Sequence, residues 1–189
     1  MVAKFIFVFI LIGLWHSEVV KAMGKYKYII QSMGSCTGPE YTDVESPLRN
    51  VVFKKVNRTA KTLSFDVTWK RPIDDNLGAT IKAEKLTNVG GGHMAIPFIP
   101  LLVDPCNTFL KNFRSHYIDF ATNMGVPEPD KCPVPAGNYS LKNFVFNSEY
   151  SQPNAMPIEG TMLYRTIFQD MKTKGIFFCL QAIIYHSKI

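Results

Sequence analysis

The chain has 189 residues, 47% of them hydrophobic, 13% aromatic and 19% charged, with a formal net charge of +6. That length suits one globular domain and falls short of two sizeable ones, and the composition excludes wholesale disorder, a coiled coil and a collagen-like chain. Four cysteines are too few for a disulfide scaffold in place of a core.

Residues 1–22 read as an export signal. Met1 to Lys4 gives a short positive start, and Phe5 to Trp15 is an unbroken run of eleven residues, all apolar if Gly13 is counted. Such a run covers about 16 Å as a helix, roughly half of a bilayer core of about 30 Å, so it suits a secretory signal rather than a span. Val20-Lys21-Ala22 supplies the small-residue cleavage pattern, which leaves one domain over 23–189. Without Lys4, Lys21 and Glu18 that domain carries 19 basic and 14 acidic side chains. They are dispersed rather than gathered on a stripe, so nucleic acid is not an expected partner, while a weak attraction to an anionic membrane surface is compatible with the charge.

An oxidising compartment pairs Cys36, Cys106, Cys132 and Cys179 into two bridges, with all three pairings open on spacing. No metal or other cofactor is expected, because no two cysteines lie closer than 26 residues and His93, His116 and His186 are scattered. Asn57-Arg58-Thr59 and Asn138-Tyr139-Ser140 are glycosylation sequons, at Asn57 and Asn138.

The rhythm of the chain is mostly that of strands. Lys25 to Ile30 and Val51 to Val56 alternate loosely. Thr62 to Trp69 alternates strictly, with Leu63, Phe65, Val67 and Trp69 on one face, the pattern of a half-buried strand. Arg71-Pro72 and Asp74 to Gly78 turn the chain into a strand over Thr80 to Leu86. Gly90-Gly91-Gly92 marks a turn without the Lys-Ser/Thr of a phosphate loop. Met94 to Val103 is apolar but contains Pro97 and Pro100, so it reads as an edge strand or an extended loop lining a pocket, packing under the next helix or reaching toward lipid.

One helix follows, over about 107–125. Asn107 or Thr108 caps it, Gly125 stops it, and Phe109, Phe113, Tyr117, Phe120 and Met124 form an apolar stripe. Tyr139 to Phe146, Thr161 to Asp170 and Ile176 to Tyr185 are the closing strands, and the last, apolar on both faces, belongs inside a sheet. The expectation is a mainly β fold: an antiparallel β-sandwich or β-cup of about seven or eight strands, one helix and an internal apolar cavity.

Cys132-Pro133-Val134-Pro135-Ala136-Gly137-Asn138-Tyr139-Ser140-Leu141 resembles the signature of the ganglioside-activator-like lipid-binding superfamily. Pro153, Pro157, Gly160, Tyr164-Arg165 and Cys179 follow in the same order, and the small cysteine set with the signal is most similar to the insect chemosensory CheB-type branch. Two extra residues between Gly160 and Tyr164, and the absence of the activator's additional cysteine pairs, depart from the activator itself. The resemblance implies a cup of two splayed antiparallel layers around a hollow for an acyl chain. It also implies the pairings Cys36–Cys179 and Cys106–Cys132.

The rings expected to wall such a hollow are Phe65, Trp69, Phe98, Phe109, Phe113, Tyr117, Phe144, Tyr164, Phe168 and Phe178. A ten-carbon chain buried among them offers on the order of 8 kcal/mol gross, which suits a reversible micromolar carrier. Enzyme chemistry is not expected: the chain has no G-x-S-x-G elbow, no H-E-x-x-H and no inward pair of carboxylates. The leading expectation is a secreted, extracellular protein binding a lipid or hydrophobic small molecule, such as a cuticular hydrocarbon or pheromone presented in chemosensation. The alternatives are a glycolipid activator assisting a hydrolase at a membrane, and a ligand-free protein contacting a chemosensory receptor or channel.

Overall fold

The computed structural model describes residues 26–87, 93–96, 101–152 and 158–188. The expected export signal over 1–22, the expected turn at Gly90–Gly92, Phe98 and the prolines at 97, 100, 153 and 157 lie outside the described residues.

The strands are β1 (Tyr26–Ser35), β2 (Arg49–Lys55), β3 (Ala60–Trp69), β4 (Leu77–Leu86), β5 (His93–Ile96), β6 (Leu102–Val103), β7 (Gly137–Asn147), β8 (Glu149–Gln152), β9 (Gly160–Asp170) and β10 (Ile176–Lys188). They form two antiparallel sheets. One has seven strands in the order β5-β4-β9-β10-β1-β8, with β6 also on β4; the other has three, β2-β3-β7. The expected mainly β sandwich or cup is the architecture found. Strict alternation in β3 places Leu63, Phe65, Val67 and Trp69 inside. The doubly apolar β10 lies between β9 and β1, where both backbone edges are paired.

The Met94–Val103 segment contributes β5 and β6, which pair antiparallel with β4 at the edge of the larger sheet. β4 itself begins three residues earlier than its apolar pattern indicates. Gly78 explains this, since a Cβ there would lie 2.6 Å from Met171 Sδ and 2.8 Å from Leu101 Cδ1. That glycine permits close packing within a strand rather than making a turn.

β9 is buried without a break from Met162 to Phe168, because both of its faces are covered. Tyr164, Thr166 and Phe168 face the space between the layers. On the other side, Ile167 packs with Tyr41, Cys179 and the half-buried Cys36 and Val44. Arg165 joins this outer layer: it is 8% exposed, donates to Glu84 Oε1 at 2.6 Å and lies over the Tyr41 ring at 5.5 Å. The Cys36–Cys179 bridge pins the chain just past the end of β1 to β10, and Cys106–Cys132 ties the first turn of the helix to the segment beyond its end. These are the pairings that the resemblance implies.

The helix, α1, spans Pro105–Met124. It starts before the expected cap: Asp104 is the N-cap, accepting from the Asn107 backbone N–H at 3.2 Å, and Pro105 follows in the first turn, a position proline favours. At the other end Gly125 takes φ 82°. Its N–H donates to Thr122 O and that of Val126 to Ala121 O, each at 3.0 Å, which closes the helix as a Schellman cap.

Candidate functional site

Residues from both sheets and α1 converge on one apolar pocket. β3 supplies Leu63, Phe65 and Trp69; β9 supplies Tyr164, Thr166 and Phe168; β10 supplies Phe178, Leu180 and Ala182. The helix closes it with Cys106, Phe109, Tyr117, Phe120, Ala121 and Met124, and Met33, Ile73, Val126 and Val134 complete the wall. The last four reach it from β1 and from the loops flanking β3 and α1. A two-way backbone bridge between Ile73 and Val134, at 2.9 and 3.2 Å, joins two of those loops.

The pocket volume is about 110 Å³. An engineered apolar cavity of about 150 Å³ admits benzene, so this pocket is of the size of a small ring or a short chain. It is smaller than the acyl-chain hollow expected from the sequence, because Phe65, Phe120, Phe168 and Phe178 fill the space as well as bounding it. Phe65 lies 6.4 Å from Phe120, and Phe168 lies 5.7 Å from Phe178, edge to face.

Seven of the ten rings named from the sequence stand on this wall: Phe65, Trp69, Phe109, Tyr117, Tyr164, Phe168 and Phe178. Two do not. Phe113 packs half-buried against the core but off the pocket, because α1 kinks there, with φ −141° and ψ 34°. The side-chain amide of the preceding residue, Asn112, donates to the Thr108 carbonyl at 2.8 Å. The Thr108 carbonyl is also the i−4 acceptor of the Asn112 backbone N–H, one residue before the kink. Phe144 is buried on β7, edge-on to Phe120 at 5.7 Å, and Phe120 takes the place on the wall. Phe98 lies outside the described residues.

Phe120 and Met124 belong to the helical stripe and were legible as an inward face. Ala121, Ala182 and Thr166 had no signal of their own, since small side chains line a pocket only where the layers leave one.

Few polar atoms adjoin the pocket. The Tyr117 hydroxyl lies 3.3 Å from Cys106 Sγ, and burial pushes its pKa up to about 12. Tyr164 directs its hydroxyl to His186 Nε2 at 3.2 Å, and burial raises its pKa far above its ordinary value. His186 is 3% exposed, between Tyr164 and the ring of Tyr28, whose centroid is 4.5 Å away. Burial lowers its pKa to about 4, so it is neutral at physiological pH. The Ile158 backbone opposes that shift only in part, since Nδ1 makes no well-formed hydrogen bond. Among the described residues no group of three or more His, Cys, Asp or Glu is placed to hold a metal.

The outer face of the three-stranded sheet carries a polar cluster around Asp66 beside the exposed Val52 and Val145. Asp66 accepts from Asn50 at 2.7 Å, Ser140 at 2.6 Å and Lys142 at 2.9 Å, and these bonds hold its carboxyl well below the usual range. Both sequon asparagines are exposed on this sheet. Asn57 Oδ1 accepts from the Thr59 and Ala60 backbone in the β2–β3 turn, and Asn138 Oδ1 accepts from Thr68 Oγ1 at 2.8 Å.

The chain matches no family model, and no curated protein matches it.

Proposed function

We propose that this protein is a secreted binding protein for small hydrophobic molecules, with the pocket between the sheets and α1 as its site and no chemical step. The observation that carries this reading is the wall itself: nineteen lining residues, almost all apolar, drawn from both sheets and the helix around a void of about 110 Å³. Void of this kind costs packing energy, and an apolar ligand recovers it. At most about six carbons fit a space smaller than the one that admits benzene, and they are worth about 5 kcal/mol gross at ~0.8 kcal/mol each, before association costs. The corresponding dissociation constants are hundreds of micromolar or weaker, so the site suits a carrier that releases its cargo. The export signal, the two bridges and the sequence resemblance support an extracellular carrier of a pheromone or cuticular component in a chemosensory organ.

Displacement of a fluorescent apolar probe by a graded series of alkanes and alkyl ketones tests this reading, alongside native mass spectrometry of protein from its natural tissue. Affinity should rise with chain length and level off once the pocket is full. Absence of displacement by every member of the series would overturn the reading.

A second reading, activation of a hydrolase at a membrane, draws on a different observation. Met94 and Val103, on the strands that pair with β4 at the sheet edge, and Leu101 beside them are 55%, 58% and 36% exposed, apolar side chains available to lipid. It requires faster hydrolysis of membrane-embedded glycolipid but not of soluble substrate when the protein is added; equal rates for both exclude it.

A further inference from the structure

Four residues of the pocket wall carry a side-chain nitrogen or oxygen: Trp69, Tyr117, Tyr164 and Thr166. Both tyrosine hydroxyls are engaged, on Cys106 and His186. Trp69 Nε1 has no partner but is sealed from solvent, so a molecule in the pocket does not reach it. Thr166 differs from all three. Its Oγ1 takes part in no hydrogen bond with the described residues, yet it is not among the sealed atoms. The residue is 7% exposed and lines the pocket.

Sheet register explains why the hydroxyl is left over. Thr166 sits on the central strand β9, opposite Ile81 of β4 and Leu180 of β10. Neither aliphatic neighbour offers a partner. Valine would fill the same space, suit a strand equally well and leave no polar atom in an apolar wall. A hydrocarbon filling the pocket takes water away from this hydroxyl and returns nothing, whereas a ligand with an acceptor restores the lost bond.

We infer that Thr166 is the polar anchor of the pocket: its hydroxyl donates to a single oxygen of an otherwise apolar ligand, so the site selects ketones, aldehydes or esters over hydrocarbons of the same shape. The inference rests on the binding role proposed above and narrows its ligand class.

Pentan-2-one and 2-methylpent-1-ene, short enough for the pocket, test it, since they differ by a carbonyl oxygen replaced with a CH₂ group. Each is titrated by probe displacement against the wild-type chain, Thr166→Val and Thr166→Ser, with thermal melts confirming that all three are folded. Thr166→Val should weaken the ketone about three- to tenfold, the worth of one neutral hydrogen bond, and leave the alkene unchanged or tighter. Thr166→Ser should keep the wild-type ratio of the two affinities. Equal effects of Thr166→Val on both ligands, or no effect on either, would overturn the anchor while leaving the pocket reading in place. Failure of both ligands to bind the wild-type chain would overturn the pocket reading and the anchor with it.

Discussion

Replacing Ala182 with leucine adds three carbons to the pocket from the middle of β10. Ala182 is 5% exposed, lines the pocket and is flanked by Met33 of β1 and Tyr164 of β9. At about 24 cal/mol per Å³, the empty 110 Å³ represents roughly 2.6 kcal/mol of unrealised packing. Three newly buried carbons at about 0.8 kcal/mol each give about 2.4 kcal/mol, so the two routes agree on the ceiling. Crowding against Met33 and Tyr164 lowers the gain, which leaves about 1–2 kcal/mol for Ala182→Leu. For a domain of this size that amounts to a rise in melting temperature of roughly 2–4 °C per kcal/mol, measured without ligand. The same substitution removes most of the volume that a ligand would occupy, so probe affinity should fall at least about tenfold, which is about 1.4 kcal/mol. A lower melting temperature together with unchanged probe affinity would refute the reasoning, because the void would then be neither fillable nor the binding space.

His186 gives a pH signature. Its pKa is about 4 when folded against about 6.5 when unfolded, so the unfolded chain binds the extra proton between those values. Its contribution, about 3 kcal/mol, is complete above pH 6.5 and is lost as pH falls toward 4. Denaturant titrations across that window should show a shallower pH slope for His186→Phe than for the wild type; parallel slopes would contradict the neutral buried imidazole. The Cys106–Cys132 bridge closes a loop with a sequence separation of 26, worth about 3.5 kcal/mol. Replacing both cysteines with alanine should lower stability by about that amount. Amide exchange should rise first in α1, and uniform acceleration across β9 and β10 would argue against a local tether.

The strands were legible wherever one face is buried and the other is wet. The β3 pattern of Leu63, Phe65, Val67 and Trp69 identifies its inner face residue by residue, because a period of two survives any packing partner. β1 was read only as far as Ile30, whereas it runs to Ser35 through a register shift between Ile30 and Ser32; a bulge breaks the alternation that the eye follows. The helix start is ambiguous in the sequence because Asn107 and Thr108 are also good caps, although Asp104 followed by Pro105 is the stronger signal. The kink at Phe113 left no trace in the spacing of the stripe.

Local chemistry along the chain therefore determined the β class, the helix before Gly125 and its glycine stop, and which faces are greasy. These depend on neighbours one to four residues apart. The size of the pocket, the choice of Phe120 over Phe144 for its wall and the isolation of the Thr166 hydroxyl were decided by tertiary structure. Each depends on which atoms from β3, α1, β9 and β10 meet across the gap between layers, and an empty volume is a remainder of packing that no single segment encodes.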